Sequence, residues 1–153
     1  MAVRDCEKVV RLVTPSYPDE CKRFADWLAR QHGEEEWVAT GPFYGYGLMD
    51  GDEICAAVIL EPFHSEGSIL ASMSISTPDV LRHRSLVKEC LSIPFSEMFD
   101  ANRVSLIIEE TYTRVIRVAE FLGFEVEGVL PCQFGSNSGI LMGMTKDPLG
   151  LAG

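Results

Sequence analysis

The sequence has no long hydrophobic run. None of its apolar stretches approaches the ~18 residues that a membrane-spanning helix needs. The first ten residues, MAVRDCEKVV, carry Arg4, Asp5, Glu7 and Lys8 where a signal peptide would need an apolar block. Both observations argue against a membrane protein, and we therefore expect a cytoplasmic one.

Cysteine is also scarce. The chain has 5, an odd number, and no two of them have the C-x-x-C spacing of a zinc or redox site. The histidines at positions 32, 64 and 83 have no metal-ligand spacing either. We expect reduced cysteines that are mostly buried as small apolar residues, and no metal centre.

Positive charge is low relative to negative charge. The 13 Lys and Arg residues face 23 Asp and Glu residues, which gives a formal net charge of −10. An acidic surface repels phosphate backbones, so nucleic acid is a disfavoured partner. The charge suits a cationic or amine-bearing partner, although solubility alone is the more common reason for such an excess.

The remaining composition is that of one soluble globular unit. Hydrophobic residues make up 46% of the chain and charged residues 24%, both ordinary values. We find no internal repeat, linker or low-complexity segment. The sequence therefore predicts a single domain over residues 1–146, followed by a flexible tail at 147–153.

Hydrophobic periodicity predicts the element order β-α-β-β-β-α-β-α-β-β. Asp50-Gly51 separates two β-type runs and favours a two-residue hairpin turn, whereas residues 34–41 fit a short helix or a loop equally well. The other strands are expected at 7–14, 68–76, 103–110, 125–130 and 140–145. Such an order predicts a mixed sheet with helices on its faces.

The junction near residue 123 carries the most specific signal. A helix predicted over 111–122 has one apolar stripe, formed by Val115, Val118, Ala119 and Leu122. Gly123 can close that helix in the left-handed conformation, and Phe124 then returns to the core. We expect helix and following strand to form one rigid unit, with free backbone N–H groups at the other end, around Thr111 and Tyr112.

The element order, the stretch RVAEFLGFEVEGVL and the strand ILMGMT resemble the GNAT acetyltransferase superfamily. The nearest branch contains ribosomal-protein N-terminal acetyltransferases and their phage-encoded relatives. The resemblance implies an α+β fold with a mixed, mostly antiparallel, twisted sheet of about six or seven strands and helices on both faces. It also implies transfer of an acetyl group from acetyl-CoA to an amine by direct attack in a ternary complex.

The resemblance implies an acyl-CoA site where the parallel strands at 68–76 and 103–110 separate. The usual phosphate loop has glycines that let backbone N–H groups approach the pyrophosphate. The matching segment, RHRSLV, has Ser85 and Val87 there instead. Its basic residues would then hold the phosphates by charge, unless they form only a solvated first helical turn. The implied contacts are Ser74, Ile75, Arg82, His83, Arg84, Ser85, Leu86 and Tyr112.

Catalysis requires a base for the amine, and Glu109 at a strand end is the first candidate. Glu61 and His64, at a predicted turn, are rivals, and each of these groups is also explained as a solvated surface residue. Tyr112 stands where relatives have Asn; it lines the pantetheine, donates a proton or only packs. The usual Tyr acid is replaced by Ala119. Family resemblance places the acceptor near Phe43, Tyr44 and Tyr46.

The acceptor remains open among a protein N-terminus, a lysine, a small polyamine-like amine and a modified base, and a homodimer is an open alternative to a monomer. A GNAT-shaped module without catalysis, holding CoA or a partner protein, is the main rival reading. The missing loop glycines and the missing Tyr favour that rival. An acidic mimic of nucleic acid, or a phage-type inhibitor, rests on the net charge alone.

Overall fold

A computed structural model of the chain describes residues 10–16, 18–63 and 65–146. The predicted strand residues 7–9, His64 and the predicted tail at 147–153 lie outside this part. The chain divides into two compact units. The first contains the residues up to Glu61 together with Ser72–Ser92, and the second contains Pro62–Ala71 and the residues from Ile93 onward.

The described residues form seven strands and three α-helices in the order β-α-β-β-β-α-β-α-β-β, with short 3-10 turns before and after the second helix. Their bounds are β1 Val10–Val13, α1 Asp19–Gln31, β2 Tyr44–Asp50, β3 Glu53–Pro62, β4 Ser68–Ile75, α2 Arg84–Ser92, β5 Arg103–Glu109, α3 Thr113–Phe121, β6 Glu125–Phe134 and β7 Asn137–Thr145.

The strands form a seven-stranded sheet in the order β1-β2-β3-β4-β5-β7-β6. β1 with β2, β2 with β3, β5 with β7 and β6 with β7 are antiparallel, whereas β4 and β5 are parallel. This mostly antiparallel mixed sheet with three helices confirms the predicted fold class.

The core of the first unit forms between α1 and the β2–β3 hairpin. The apolar face of α1 is buried, with Phe24 and Leu28 each 1% exposed. The helix lies so close to β2 that a Cβ at Gly45 would overlap the Cys21 carbonyl oxygen. Gly45 therefore allows the close packing of α1 on β2, whereas a Cβ at Gly47 would overlap the Ala56 carbonyl oxygen of β3.

The junction in the second unit has the predicted geometry. Gly123 has φ +109° and donates its N–H to the Glu120 carbonyl, while Phe124 donates to the Ala119 carbonyl. These two bonds make a Schellman motif, which satisfies carbonyls that the end of a helix would otherwise leave unpaired. The Phe124 side chain is 3% exposed. The rigid connection between α3 and β6 is confirmed.

Several local predictions need correction. The β2–β3 turn is Gly51-Asp52, because Asp50 pairs with Glu53, and the segment before β2 is a loop. α3 begins at Thr113, and Val115 is 50% exposed although its helical spacing placed it on the apolar stripe. α3 lies against the edge strand β6, so only part of its stripe is covered.

The cysteine prediction is correct only in part. Cys21 and Cys90 are buried, Cys55 is half-buried and Cys132 is exposed on β6, and all four are free thiols. Burial raises the pKa of Cys90 to about 12, so its thiol is neutral and structural. Cys6 is outside the described residues.

Candidate active site

In the second unit, β5 pairs very unequally with its two neighbours. β7 pairs with β5 over its whole length, from Arg103 to Glu109. The parallel ladder with β4 covers only Ser68–Leu70 opposite Arg103–Ser105. The residues of β5 after Ser105 are therefore paired through β7 alone, and the two parallel strands do not pair along their full length.

In the first unit, the last half of β4 carries two of the expected cofactor contacts. Ser74 and Ile75 are half-buried, and Ile75 packs on a cluster that contains Leu48 and Val80. The next residue, Ser76, donates its N–H to the Cys55 carbonyl at 2.8 Å. The chain then enters the 3-10 turn Pro78–Arg82.

The expected phosphate-binding segment stands at the start of α2. His83 ends the 3-10 turn, and its carbonyl accepts the first helical hydrogen bond, from Val87 at 2.9 Å. The backbone N–H groups of Arg84, Ser85 and Leu86 therefore have no carbonyl acceptor within the helix. No acidic residue lies in this first turn.

The side chains at this helix start are open to solvent. Arg82, His83 and Arg84 are all exposed. Arg82 lies 3.6 Å from a carboxylate oxygen of Asp79, but both side chains are about four-fifths exposed, at 83% and 78%. Such an exposed pair contributes little energy, so Arg82 can exchange this partner for another anion.

Glu109 ends β5 in the second unit and is held through its side chain. Its Oε1 accepts hydrogen bonds from the Asn137 amide at 2.8 Å and the Thr111 hydroxyl at 3.0 Å. The Tyr112 N–H donates to the Glu109 carbonyl at 3.0 Å, so the prediction that this amide is free is wrong. The Tyr112 side chain is 56% exposed.

Glu61 lies in β3, not in the turn where the sequence placed it. The residue is half-buried, and this burial raises the pKa of its carboxyl group. A carboxyl group with a raised pKa is better matched to proton transfer near neutral pH than an exposed one. His64, the other rival base, is outside the described residues.

The three aromatic candidates for the acceptor site differ in accessibility. Tyr46 is 0% exposed and donates its hydroxyl to the Cys90 carbonyl at 2.7 Å, so its predicted place in an acceptor pocket is wrong. β2 is buried continuously from Gly45 to Met49, and the Tyr46 ring lies within this core. Tyr44 is half-buried and donates to the Pro15 carbonyl at 2.7 Å, and Phe43 stacks obliquely on Trp37.

Two side chains that the sequence did not single out organise these regions. Asn137 was not among the predicted site residues, yet it begins β7 and contacts Glu109. Asp26 accepts the Trp37 N–H at 2.9 Å and pairs with Lys22 at 3.0 Å, which fixes the loop after α1. No sequence pattern marks the Trp37–Asp26 or the Asn137–Glu109 contact, because these join residues 11 and 28 positions apart.

The electrostatics of Asp26 reflect opposing effects. Partial burial alone would raise the pKa of its carboxyl group, but the Trp37 N–H and Lys22 together lower that pKa below its ordinary value. The charged form is therefore favoured in the folded protein. The Trp37–Asp26 hydrogen bond therefore holds the loop between α1 and β2 against α1.

Two shallow surface hollows lie on α1 in the first unit. One, of about 300 Å³, is lined by Arg23, Trp27, Arg30, Asp52, Glu53 and Ile54, and the other continues along the same helix. Within the described ranges, no three His, Cys, Asp or Glu side chains are grouped as a metal site requires. None of the described helices has the length and apolarity to cross a membrane.

Comparison with solved structures identifies the fold. The dodecameric spermidine N-acetyltransferase of Vibrio cholerae has a TM-score of 0.63 and 15% identity, covering 92% of this chain and 95% of that one. Mutant forms of the spermidine/spermine N-acetyltransferase SpeG from this organism give 0.67 and 15%, covering 89% and 93%. A GNAT-family protein from Desulfovibrio desulfuricans gives 0.65 and 13%, covering 90% and 99%.

No protein-family model and no curated protein sequence matches the chain. The structural likenesses show that it has the GNAT acetyltransferase fold, as its sequence predicted. They do not separate the branches of that fold, so the narrower resemblance to ribosomal-protein and phage-encoded enzymes stays a prediction.

Proposed function

We propose that this protein is an N-acetyltransferase that moves an acetyl group from acetyl-CoA to an amine. The observation that carries the proposal is the short parallel ladder of β4 and β5, which ends at Leu70 and Ser105. Backbone beyond such a ladder is free to pair with an extended thioester arm. The solved spermidine N-acetyltransferases support an amine as acceptor.

Acetyl-CoA would bind to the first unit through backbone and charge. Its pantetheine arm pairs with β4 at Ser74 and Ile75, and its phosphates lie at the start of α2. There the N–H groups of the first turn and the positive end of the helix dipole favour an anion. Arg82, His83 and Arg84 supply the attraction that the missing glycines would otherwise provide through close backbone approach.

In the reaction, the neutral amine nitrogen attacks the thioester carbonyl carbon, a C–N bond forms and the C–S bond breaks. The Ile75 N–H stabilises negative charge on the carbonyl oxygen. Glu109 accepts the amine proton, directly or through a water molecule, and Tyr112 protonates the leaving thiolate. Holding the two reactants together supplies much of the acceleration, up to ~7–11 kcal/mol in favourable cases.

Glu61 is the second candidate for the base, because its pKa is raised by burial. Replacing each carboxylate with its amide separates the two. We expect E109Q to lower kcat by about 100-fold or more, in line with the general-base contribution, and E61Q to leave kcat within about twofold. The opposite order would assign the base to Glu61.

A thermal melt with and without acetyl-CoA tests the cofactor site. Saturation at a hundred times the dissociation constant should add about 2.7 kcal/mol of stability. For a chain of this size, that gain raises Tm by roughly 5–11 °C. No shift at millimolar acetyl-CoA would refute the transferase proposal.

Charge reversal locates the phosphates. R84E should abolish the melting shift caused by acetyl-CoA. K88E changes an exposed residue one turn later in α2 and should retain most of that shift. Equal losses in the two variants would show that only the overall charge matters.

The GNAT-shaped binding module is the second candidate function, favoured by Ser85 and Val87 at the glycine positions. An acetyl-CoA shift without thiol release would support it. The acceptor panel for that assay contains polyamines, lysine peptides, peptides with free N-termini and a modified base. Thiol release with one class names the acceptor.

A further inference from the structure

The carboxylate of Glu109 is held through one of its two oxygens. Thr111 and Asn137 both donate to Oε1, at 3.0 and 2.8 Å. Among residues 10–16, 18–63 and 65–146, none donates a hydrogen bond to Oε2 of this residue. The two oxygens of one carboxylate therefore have different surroundings.

We propose that Thr111 and Asn137 are positioning residues that orient Glu109 so that Oε2 receives the proton from the acceptor amine. This inference rests on the proposed function and adds to it the reacting atom and the residues that place it. Two donors on Oε1 occupy its lone pairs and restrict rotation of the carboxylate. Oε2 keeps its lone pairs for the incoming proton.

Both donors are placed by backbone that is itself fixed. Asn137 begins β7 directly after the turn, and Glu109 pairs with Gly139 two residues further on. The Glu110 N–H donates to the Ser138 carbonyl at 2.9 Å, which continues the same ladder. Thr111 follows in the link to α3, so the two donors approach the carboxylate from separate, anchored segments.

The neighbouring acidic group does not compete for the same role. The carboxylate of Glu110 accepts the Ser138 backbone N–H, and it lies on the exposed side of the link. Glu109 is half-buried and carries side-chain donors only. The two adjacent carboxylates thus have distinct partners. Glu110 links the backbone of two segments, whereas Glu109 is oriented by two side-chain donors.

The proton balance of the step is simple. The amine nitrogen forms its bond to the acetyl carbon while the C–S bond to CoA breaks, the thiolate takes a proton from Tyr112 and the amine proton passes to Oε2. Glu109 becomes neutral while Oε1 keeps both hydrogen bonds, and the proton later passes to solvent. Loss of either donor frees the carboxylate to rotate, and a misplacement of about 1 Å can cost as much as 100-fold in rate.

The test uses matched substitutions in the full chain. T111V removes the hydroxyl with little change in shape, and N137L removes the amide. We expect each to lower kcat between about 10-fold and 100-fold, while the acetyl-CoA melting shift stays within about 1 °C of the unmodified protein. T111S, which restores the hydroxyl, should recover most of the lost rate.

T113V is the control, because it makes the same replacement at an exposed threonine two positions later, at the start of α3. Its kcat should equal that of the unmodified protein. A second readout uses E109Q as background. There T111V should cause no further loss, because residues that act as one unit are not additive.

The outcomes separate this inference from the proposed function. Lower Tm with unchanged kcat in T111V and N137L would make their hydrogen bonds structural and overturn the inference alone. A fully active E109Q would also overturn it while acetyl transfer stands. Absence of transfer by the unmodified protein across the whole acceptor panel would overturn the proposed function itself.

Discussion

Gly123→Ala tests the rigid junction of α3 and β6, which is the feature that the sequence marks most clearly. Gly123 has φ +109°, a value that residues with a Cβ rarely adopt, and an added Cβ would lie 3.2 Å from the Met144 methyl carbon. A left-handed conformation costs a non-glycine residue about 1–2 kcal/mol. Replacing Gly with Ala also lowers the entropy of the unfolded chain, which stabilises the fold by about 0.4–1 kcal/mol where Ala fits without strain. At Gly123, Ala does not fit without strain.

The expected net loss is about 2 kcal/mol, because the backbone must rotate or the methyl group of Met144 must move. For a chain of this length, that loss lowers Tm by about 4–8 °C. Urea and thermal denaturation measure it. Gly128→Ala is the matched control in β6, since a Cβ there meets nothing within 4 Å and φ is not positive. We expect G128A to stay within about 0.5 kcal/mol of the unmodified protein.

Equal stability of the two variants would refute the reasoning. It would mean that the positive φ of Gly123 does not determine how stable the connection between α3 and β6 is. A loss in G123A with a full acetyl-CoA melting shift would confine the damage to the second unit. The residues that we propose to hold the phosphates belong to the first unit, so acetyl-CoA binding should persist.

Three further perturbations test other contacts. Y46F removes a buried hydrogen bond of 2.7 Å to the Cys90 carbonyl and should cost about 1–3 kcal/mol in urea denaturation, since the acceptor stays buried and unpaired. D26N should flatten the acid side of the stability-versus-pH curve, because folding lowers the pKa of the Asp26 carboxyl group. The Asp26 carboxylate stabilises the fold above its unfolded pKa, and this contribution is lost as pH falls through the folded pKa. E61Q should change the pH dependence of stability in the opposite direction, because folding raises the pKa of the Glu61 carboxyl group and ionisation therefore weakens the fold as pH rises from the unfolded to the folded pKa. E61Q should therefore be more stable than the unmodified protein at pH 7 and equally stable at low pH. No change in any of these curves would refute the corresponding contact.

The sequence predicted those features that depend on local spacing. Periodicity predicted the order of the helices and strands, and the order Leu-Gly-Phe at residues 122–124 predicted the closing motif of α3. It failed where an element's burial is set by its partner. The predicted stripe of α3 includes Val115, yet Val115 is 50% exposed, whereas Ala119, one turn later, is 5% exposed.

The candidate site was predicted as a set of separate positions rather than as contacts. Glu109 and the basic segment before α2 were identified, because strand ends and helix starts are visible in the pattern. Asn137 was not, because its contact with Glu109 joins positions 28 residues apart through the register of β7 on β5. The inward position of Tyr46 depends on which face of β2 meets α2, and residue type does not reveal it.

The hydroxyl bond from Tyr46 to Cys90 also limits how α2 can move. Cys90 lies near the end of this 9-residue helix, and the amides that we propose as phosphate contacts lie in its first turn. The helix is about 13 Å long, so any tilt on cofactor binding must pivot around the tethered end. Tyr46 thereby fixes the position of the far end of α2 on β2, so that movement of the helix would be confined to its other end.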